Sequence, residues 1–177
     1  MKERIFIVID GSNFYHRLRE LNLIELLNFN YKAFGEFLAG ERNIVHTKYY
    51  VGVVRAKPTD NKAQKLRRDQ QRLFSQLNKT GWEIAHGFIL NSNDGYHEKG
   101  VDVQIATDIL VGAYENLYDT LILVTSDTDL IPAIDKVRSM KKKVEYIGFS
   151  HKPSYALISH SDVRRLLIKS ELENFLK

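Results

Sequence analysis

The 177-residue chain contains no cysteine, which excludes disulfide frameworks, thiolate zinc centres and cysteine nucleophiles. No staple is needed in their place, because a chain of this length buries roughly two thirds of its unfolded surface. Only 3 prolines and 10 glycines are present, too few for a linker or low-complexity tract, so one domain over 1–177 is expected. No apolar run approaches the ~20 residues that cross a bilayer, and the opening MKERIFIVID shows no cleavable leader. A cytoplasmic protein with no membrane partner is the expectation. Three phosphate or nucleophile signatures are also missing: a Gly-rich cradle ending in Lys-Ser/Thr, a G-x-S-x-G elbow, and G-x-G-x-x-G after the first strand.

What is present is an alternation of strand and helix patterns. RIFIVI at 4–9 is an apolar, β-branched run of the kind buried on both faces, and it stops at Asp10-Gly11-Ser12-Asn13, residues that cap and turn. Helical spacing follows through Phe14, Leu18 and Leu21, then a second helix over 31–38 ended by Gly40. Strands are predicted at 46–54, 82–90, 120–125 and 143–147, and helices at 61–79, 101–114 and 130–140, the last with Pro132 in its first turn. The apolar stretch 101–114 predicts a deeply packed helix, the polar stretch 91–100 a loop, and Ser170-x-x-Glu173 a capping box. Strands alternating with helices predict an α/β fold, a mostly parallel sheet of about five strands covered on both faces.

Charge is unevenly spread. Between Arg55 and Lys79 lie eight basic and two acidic residues, a local net of +6, which leaves 18 basic against 20 acidic, or −2, elsewhere. On the 61–79 helix, Lys62, Lys65, Arg68 and Arg72 share one stripe, opposite Ala63, Leu66, Leu73 and Leu77. Charge alone is equally consistent with a solvated helix face and with a surface that meets a polyanion.

The acids are more informative. Functional groups of a doubly wound sheet collect beyond the carboxyl ends of its strands, where the strand order reverses. In the order 3-2-1-4-5, the strands ending at Asp10 and at Ser126-Asp127-Thr128-Asp129 are neighbours at that point, and Asp102 opens the helix that carries Asp108. Carboxylates brought that close repel one another, and a divalent cation relieves the repulsion. Oxygen ligands without Cys or a His pair favour Mg²⁺ or Mn²⁺ over Zn²⁺. Beside a basic helix, such a centre suits phosphodiester hydrolysis. Taken singly, Asp102, Asp127 and Asp129 also fit the role of helix caps. Asp10 does not, since Ser12 and Asn13 follow it as better caps, and an unpaired Asp108 inside IATDILV would be costly.

Three segments carry a family resemblance: IDGSNF at 9–14, KGVDVQIATD at 99–108 and VTSDTDLIPAI at 124–134 resemble the signatures of the NYN domain, in the LabA-like branch of the PIN-like nuclease superfamily. The resemblance spans about 3–167. It implies a PIN-like, Rossmann-like three-layer α/β/α sandwich and a Mg²⁺- or Mn²⁺-dependent ribonuclease-like site. Asp10, Asp102 and Asp127 match the metal-binding acids, Asp129 and Asp108 further acidic positions, and Asn13 the polar residue of the first motif. Ser126 and Lys99 are supporting candidates. Arg55, Lys57, Lys62, Lys65, Arg68 and Arg72 are candidates for tracking a nucleic-acid backbone, single-stranded or structured RNA before DNA.

Among the remaining residues, Tyr15 and Arg17 lie one turn beyond Asp10 and are placed to flank the site. Tyr96 and His97 suit base stacking or proton transfer, and Trp82 suits the core. Tyr49 and Tyr50 point to opposite faces of a strand, so at most one can meet a base. A homodimer is compatible with the fold, but no exposed stripe in the sequence points to one. The alternative to a nuclease is a non-catalytic RNA-binding or protein-interaction module that keeps the acids as caps. A haloacid-dehalogenase-type phosphatase ranks below both, because position 12 is Ser where that family places its second Asp.

Overall fold

In the computed structural model, the described residues are 2–23, 26–53, 59–92 and 95–176, with the side chains of 26, 62 and 88–99 outside the description. Six strands form one parallel sheet: β1 (Arg4–Asp10), β2 (Asn43–Val51), β3 (Glu83–His86), β6 (Thr120–Val124), β7 (Lys143–Phe149) and β8 (Val163–Leu167). Their order is β3-β2-β1-β6-β7-β8, and every adjacent pair is parallel. The chain therefore winds outward from β1 in one direction, returns, and winds outward again from β6. Its switch point lies between β1 and β6, where Ile9 stands opposite Val124.

Among the described residues, seven helices cover the sheet: α1 (Gly11–Glu20), α2 (Tyr31–Ala39), α3 (Asn61–Lys79), α4 (Val101–Tyr114), α5 (Ile131–Ser139), α6 (Tyr155–Ser159) and α7 (Lys169–Glu173). The pleat of β1 sorts them into two layers, since alternate side chains leave opposite faces. Ile5, Ile7 and Ile9 pack with Phe14 of α1, Phe34 of α2, Leu77 of α3 and Leu172 of α7, around Trp82. Phe6 and Val8 pack with Ile105 and Ile109 of α4, Ile134 and Val137 of α5, and Leu157 of α6. Ile5, Ile7, Val8 and Ile9 are wholly buried, as a strand covered on both faces requires.

Several details depart from the sequence reading. The expected third strand over 82–90 ends at His86. Phe88–Ser92 forms β4 instead, its first three residues within the predicted strand, and pairs antiparallel with β5, Gly95–Lys99, inside the stretch 91–100 where composition predicted a loop. Polar side chains do not prevent this, because every non-proline backbone carries the donor and acceptor a ladder needs. The edge strand β8 was not anticipated: VRRLL carries two arginines, a composition that edge strands tolerate and buried ones do not. The α4 helix is buried on one side only, through Ile105, Ile109, Gly112 and Ala113, while Val103, Val111 and Tyr114 are exposed, because α4 forms part of an outer layer over the sheet. The final helix begins one residue before Ser170, and Glu171 rather than Glu173 accepts the Ile168 N–H. Tyr49 and Tyr50 are both buried, so neither meets a base.

Candidate functional site

Asp10 ends β1 and caps α1. Its Oδ1 accepts the Asn13 N–H at 3.1 Å and its Oδ2 accepts the Asn13 side-chain amide at 2.5 Å. Capping had been expected from Ser12 or Asn13. The acid takes the role because extended backbone at φ −74°, ψ 100° points its carboxylate back over the first turn. Gly11 makes this turn possible: a Cβ there would lie 2.3 Å from the Tyr49 ring and 2.7 Å from the Tyr50 carbonyl oxygen. On the other side, the Thr125 hydroxyl donates to Asp10 Oδ2 at 3.0 Å. Only 1% of Asp10 is exposed. Burial raises its pKa, the bonds from Asn13 and Thr125 oppose the rise, and the charge of Asp127 adds to it.

Beyond β6 the chain builds the second part. Thr125 Oγ1 accepts the Asp127 N–H at 3.1 Å, and Asp127 Oδ1 accepts the Asp129 N–H at 2.9 Å, capping a short 3-10 turn over Thr128–Leu130. Asp102 stands in the first turn of α4 after Gly100, whose φ of 90° suits glycine, and no side chain caps that helix. The Asp102 carboxyl is raised by burial first, then by the charges of Asp127, Asp10 and Asp129. Asp10, Asp102, Asp127 and Asp129 thus act on one another at the switch point, although they come from three separate segments. Among the described residues, none of the four forms an ion pair.

Asp108 is not gathered with them. One turn and a half further along α4, its carboxylate accepts bonds from Lys48 Nζ at 3.0 Å, Tyr50 Oη at 2.8 Å and Gln104 Nε2 at 2.8 Å. The apolar setting does make an unpaired acid costly there, and the fold answers with a lysine and a buried tyrosine from β2 rather than with the acidic centre. Burial, followed by the bond to Asp108, holds the Tyr50 hydroxyl far above its ordinary pKa.

The supporting candidates divide. Asn13 bonds Asp10 directly, and Ser126 Oγ accepts from Arg17 Nε at 3.0 Å, which ties α1 to the residue before Asp127. Lys65 and Arg68 are exposed on α3, and Arg72 is exposed beside Asp69 at 3.9 Å. Arg55 and Lys57 lie outside the described residues, as do the side chains of Lys62, Tyr96, His97 and Lys99. Thr125 is the site residue that sequence reasoning missed; its signal was the hydroxyl closing the otherwise apolar run TLILVT.

The NYN domain family matches residues 4–167, a span that holds all three segments and all four converging acids. The chain belongs to the NYN domain family. Its fold is that of the PIN-like nucleases, an α/β sandwich on a parallel sheet. This NYN domain is also similar to the crystal structure of a protein of unknown function from Vibrio parahaemolyticus, with a TM-score of 0.73, 26% identity, and coverage of 99% of this chain and 97% of that one. No curated protein matches it. No helix among the described residues is long and apolar enough to cross a membrane.

Four carboxylates, oxygen only, are the ligand chemistry that suits a hard divalent cation, and among the described residues no arginine or lysine is paired with them. Among the described residues, no three acids or histidines stand at the spacing that encloses an ion. Like charges hold apart or protonate, and they add to the burial that chiefly raises the Asp102 carboxyl.

Proposed function

We propose that this NYN domain is a divalent-metal-dependent nuclease that hydrolyses phosphodiester bonds, with RNA preferred to DNA, and that the chain works as one domain over 1–177. The observation that carries the reading is the joining of Asp10 and Asp127 through Thr125 where β1 and β6 end, beside an Asp102 carboxyl that burial first, and then the charges of Asp127, Asp10 and Asp129, push up. A folded protein keeps uncompensated like charges together chiefly where a ligand supplies the opposite charge.

Asp10, Asp102, Asp127 and Asp129 would hold Mg²⁺ or Mn²⁺. When bound, such an ion polarises a phosphoryl oxygen and makes water a better nucleophile near neutral pH. The chain's own groups do the rest. Asn13 and Thr125 fix both oxygens of Asp10, so that this buried carboxylate meets its ligand in one orientation. Thr125 also positions the backbone of Asp127, which sets the two strand-end acids relative to each other. Lys65, Arg68 and Arg72, with Arg55, Lys57 and Lys62, supply positive charge for the strand's phosphates, and Lys99 stands two residues before α4, whose first turn carries Asp102. Water oxygen adds to phosphorus in line as the 3′ oxygen departs with a proton, leaving a 5′-phosphate and a 3′-hydroxyl.

A second reading, an RNA-binding module without turnover, draws on the capping roles of Asp10 and Asp127, which serve the fold whether or not an ion binds. Cleavage of labelled single-stranded RNA in Mg²⁺, Mn²⁺ or EDTA separates the two. The nuclease reading requires metal-dependent cleavage that Asp10→Asn and Asp127→Asn abolish. Binding without cleavage in any metal supports the module, and metal-independent cleavage defeats the mechanism.

A further inference from the structure

Next to the acidic centre, on the side of β7, four charged or ionisable groups meet that the proposed chemistry does not use. Arg17 Nη1 lies 2.9 and 3.1 Å from the two oxygens of Glu20, one turn along α1. The segment after β7 brings two more partners to the same carboxylate: His151 Nε2 at 3.0 Å and Lys152 Nζ at 3.5 Å. An Arg–Glu pair at i,i+3 is routine on a helix surface. One carboxylate shared among an arginine, a lysine and a histidine is not, and without counting the histidine it leaves a net positive charge. The three partners hold Glu20 ionised down to about pH 2.

Position gives this cluster its meaning. Arg17 is only 16% exposed, and its Nε is held by Ser126, the residue between Thr125 and Asp127. His151 packs edge-on against Phe149, the last residue of β7, and β7 lies beside β6 in the sheet. Neighbouring strands are about 5 Å apart, so the cluster sits one strand's width from the end that carries Asp127. Lys152, at 62% exposure, is free to swing its ammonium toward solvent. Anchored guanidinium, packed imidazole and mobile ammonium on one rim are the donors that a phosphate takes.

We propose that Arg17, His151 and Lys152 form a phosphate-binding subsite that holds the nucleic-acid backbone next to the phosphate lying over Asp10 and Asp127. This rests on the nucleic-acid reading given above and adds a direction to it: the strand runs from the acidic centre across the ends of β6 and β7. Glu20 is a positioning residue, keeping the three donors together before a strand arrives. The phosphate is either an internal diester or a terminal monoester, which share this chemistry.

The test is fluorescence anisotropy with a 3′-labelled single-stranded RNA, carrying either a 5′-hydroxyl or a 5′-phosphate, in EDTA so that no cleavage intervenes. Lys152→Gln is expected to raise Kd about 3–10-fold at low salt and to flatten the slope of log K against log salt by about 0.7, the loss of one single-strand phosphate contact. His151→Ala is expected to raise Kd about 2–5-fold by loss of a donor to phosphate. Lys143→Gln, at the opposite end of β7, removes the same charge and is expected to change neither Kd nor slope. Weakening on both RNAs identifies an internal diester, and weakening confined to the 5′-phosphorylated RNA identifies a terminal phosphate. Equal Kd and slope for Lys152→Gln and Lys143→Gln on both RNAs, or no binding by the wild type, overturns the subsite. Cleavage that Asp10→Asn abolishes, together with unchanged binding by Lys152→Gln, removes the subsite and leaves the nuclease. Weakened binding by Lys152→Gln in a protein that cleaves nothing removes the nuclease and leaves the subsite.

Discussion

Thr125 donates its hydroxyl to Asp10 across 3.0 Å, although 115 positions separate them in the chain. The same oxygen accepts the Asp127 N–H at 3.1 Å, so one buried threonine sets the two acids that end β1 and follow β6. Thr125→Val keeps the shape and removes both bonds. It is expected to lower unfolding free energy by about 1–3 kcal/mol, because Asp10 loses a donor while buried. Thr125→Ser is expected to recover most of the loss. Urea unfolding of the three proteins checks this; a Val variant as stable as wild type would mean the hydroxyl holds nothing in place.

Asp102 and Asp127 repel when both are ionised, which makes metal removal informative. In EDTA, Asp102→Asn is expected to unfold no more easily than wild type, since the change deletes a like charge. Added Mn²⁺ is expected to stabilise wild type by about 2.7 kcal/mol at a hundredfold excess over Kd. The variant is expected to gain far less. Thermal unfolding with and without Mn²⁺ reads both effects, and an equal gain in the two proteins would remove Asp102 from the ligand set.

Asp108 should separate from the other acids in the same experiment. Asp108→Ala leaves the Lys48 ammonium and the Tyr50 hydroxyl without their shared partner, at a cost of about 1–3 kcal/mol. Its Mn²⁺-induced gain is expected to equal that of wild type. A lost gain would place Asp108 back among the metal ligands.

Arg4 bonds Asp119 through its backbone N–H at 2.9 Å and through its guanidinium at 2.7 Å, at the ends of β1 and β6 opposite the acids. Those bonds, the side-chain one first, hold the Asp119 carboxyl down at about 2. A carboxylate depressed in the folded state contributes stability that is present in full above its unfolded pKa of about 3.9 and is lost as pH falls through about 2. The pair is more than a third exposed, so solvent screening keeps its worth to about 1 kcal/mol at most. Asp119→Asn is therefore expected to be less stable than wild type at pH 6, with the gap closing between pH 4 and pH 2. Chemical denaturation across that range checks it.

Much of the fold was legible because its signals are local. The bounds of α3, Asn61–Lys79, follow from one amphipathic stripe, and those of α2 from Tyr31 to a Gly40 whose φ is 61°. The buried runs of β1 and β6 followed from unbroken apolar sequence, and alternation of helix with strand required parallel pairing. Of the β4–β5 hairpin only 88–90 lay in a predicted strand; β5 and the edge strand β8 were not legible, because polar or arginine-bearing strands show no apolar period and form only when a partner backbone is at hand.

The site divides in the same way. Sequence by itself determined which residues are acids, that Asp10 closes a buried strand, and that Asp127 and Asp129 follow another. Only tertiary structure decided their company: a crossover order set β1 beside β6, Thr125 bridged their ends, and α4 delivered Asp102 to the group while turning Asp108 toward Lys48 and Tyr50. Periodicity is a property of neighbours along the chain. Whether a carboxylate meets another acid or a lysine depends on residues far away in sequence, which the packing of the sheet and its helices brings close.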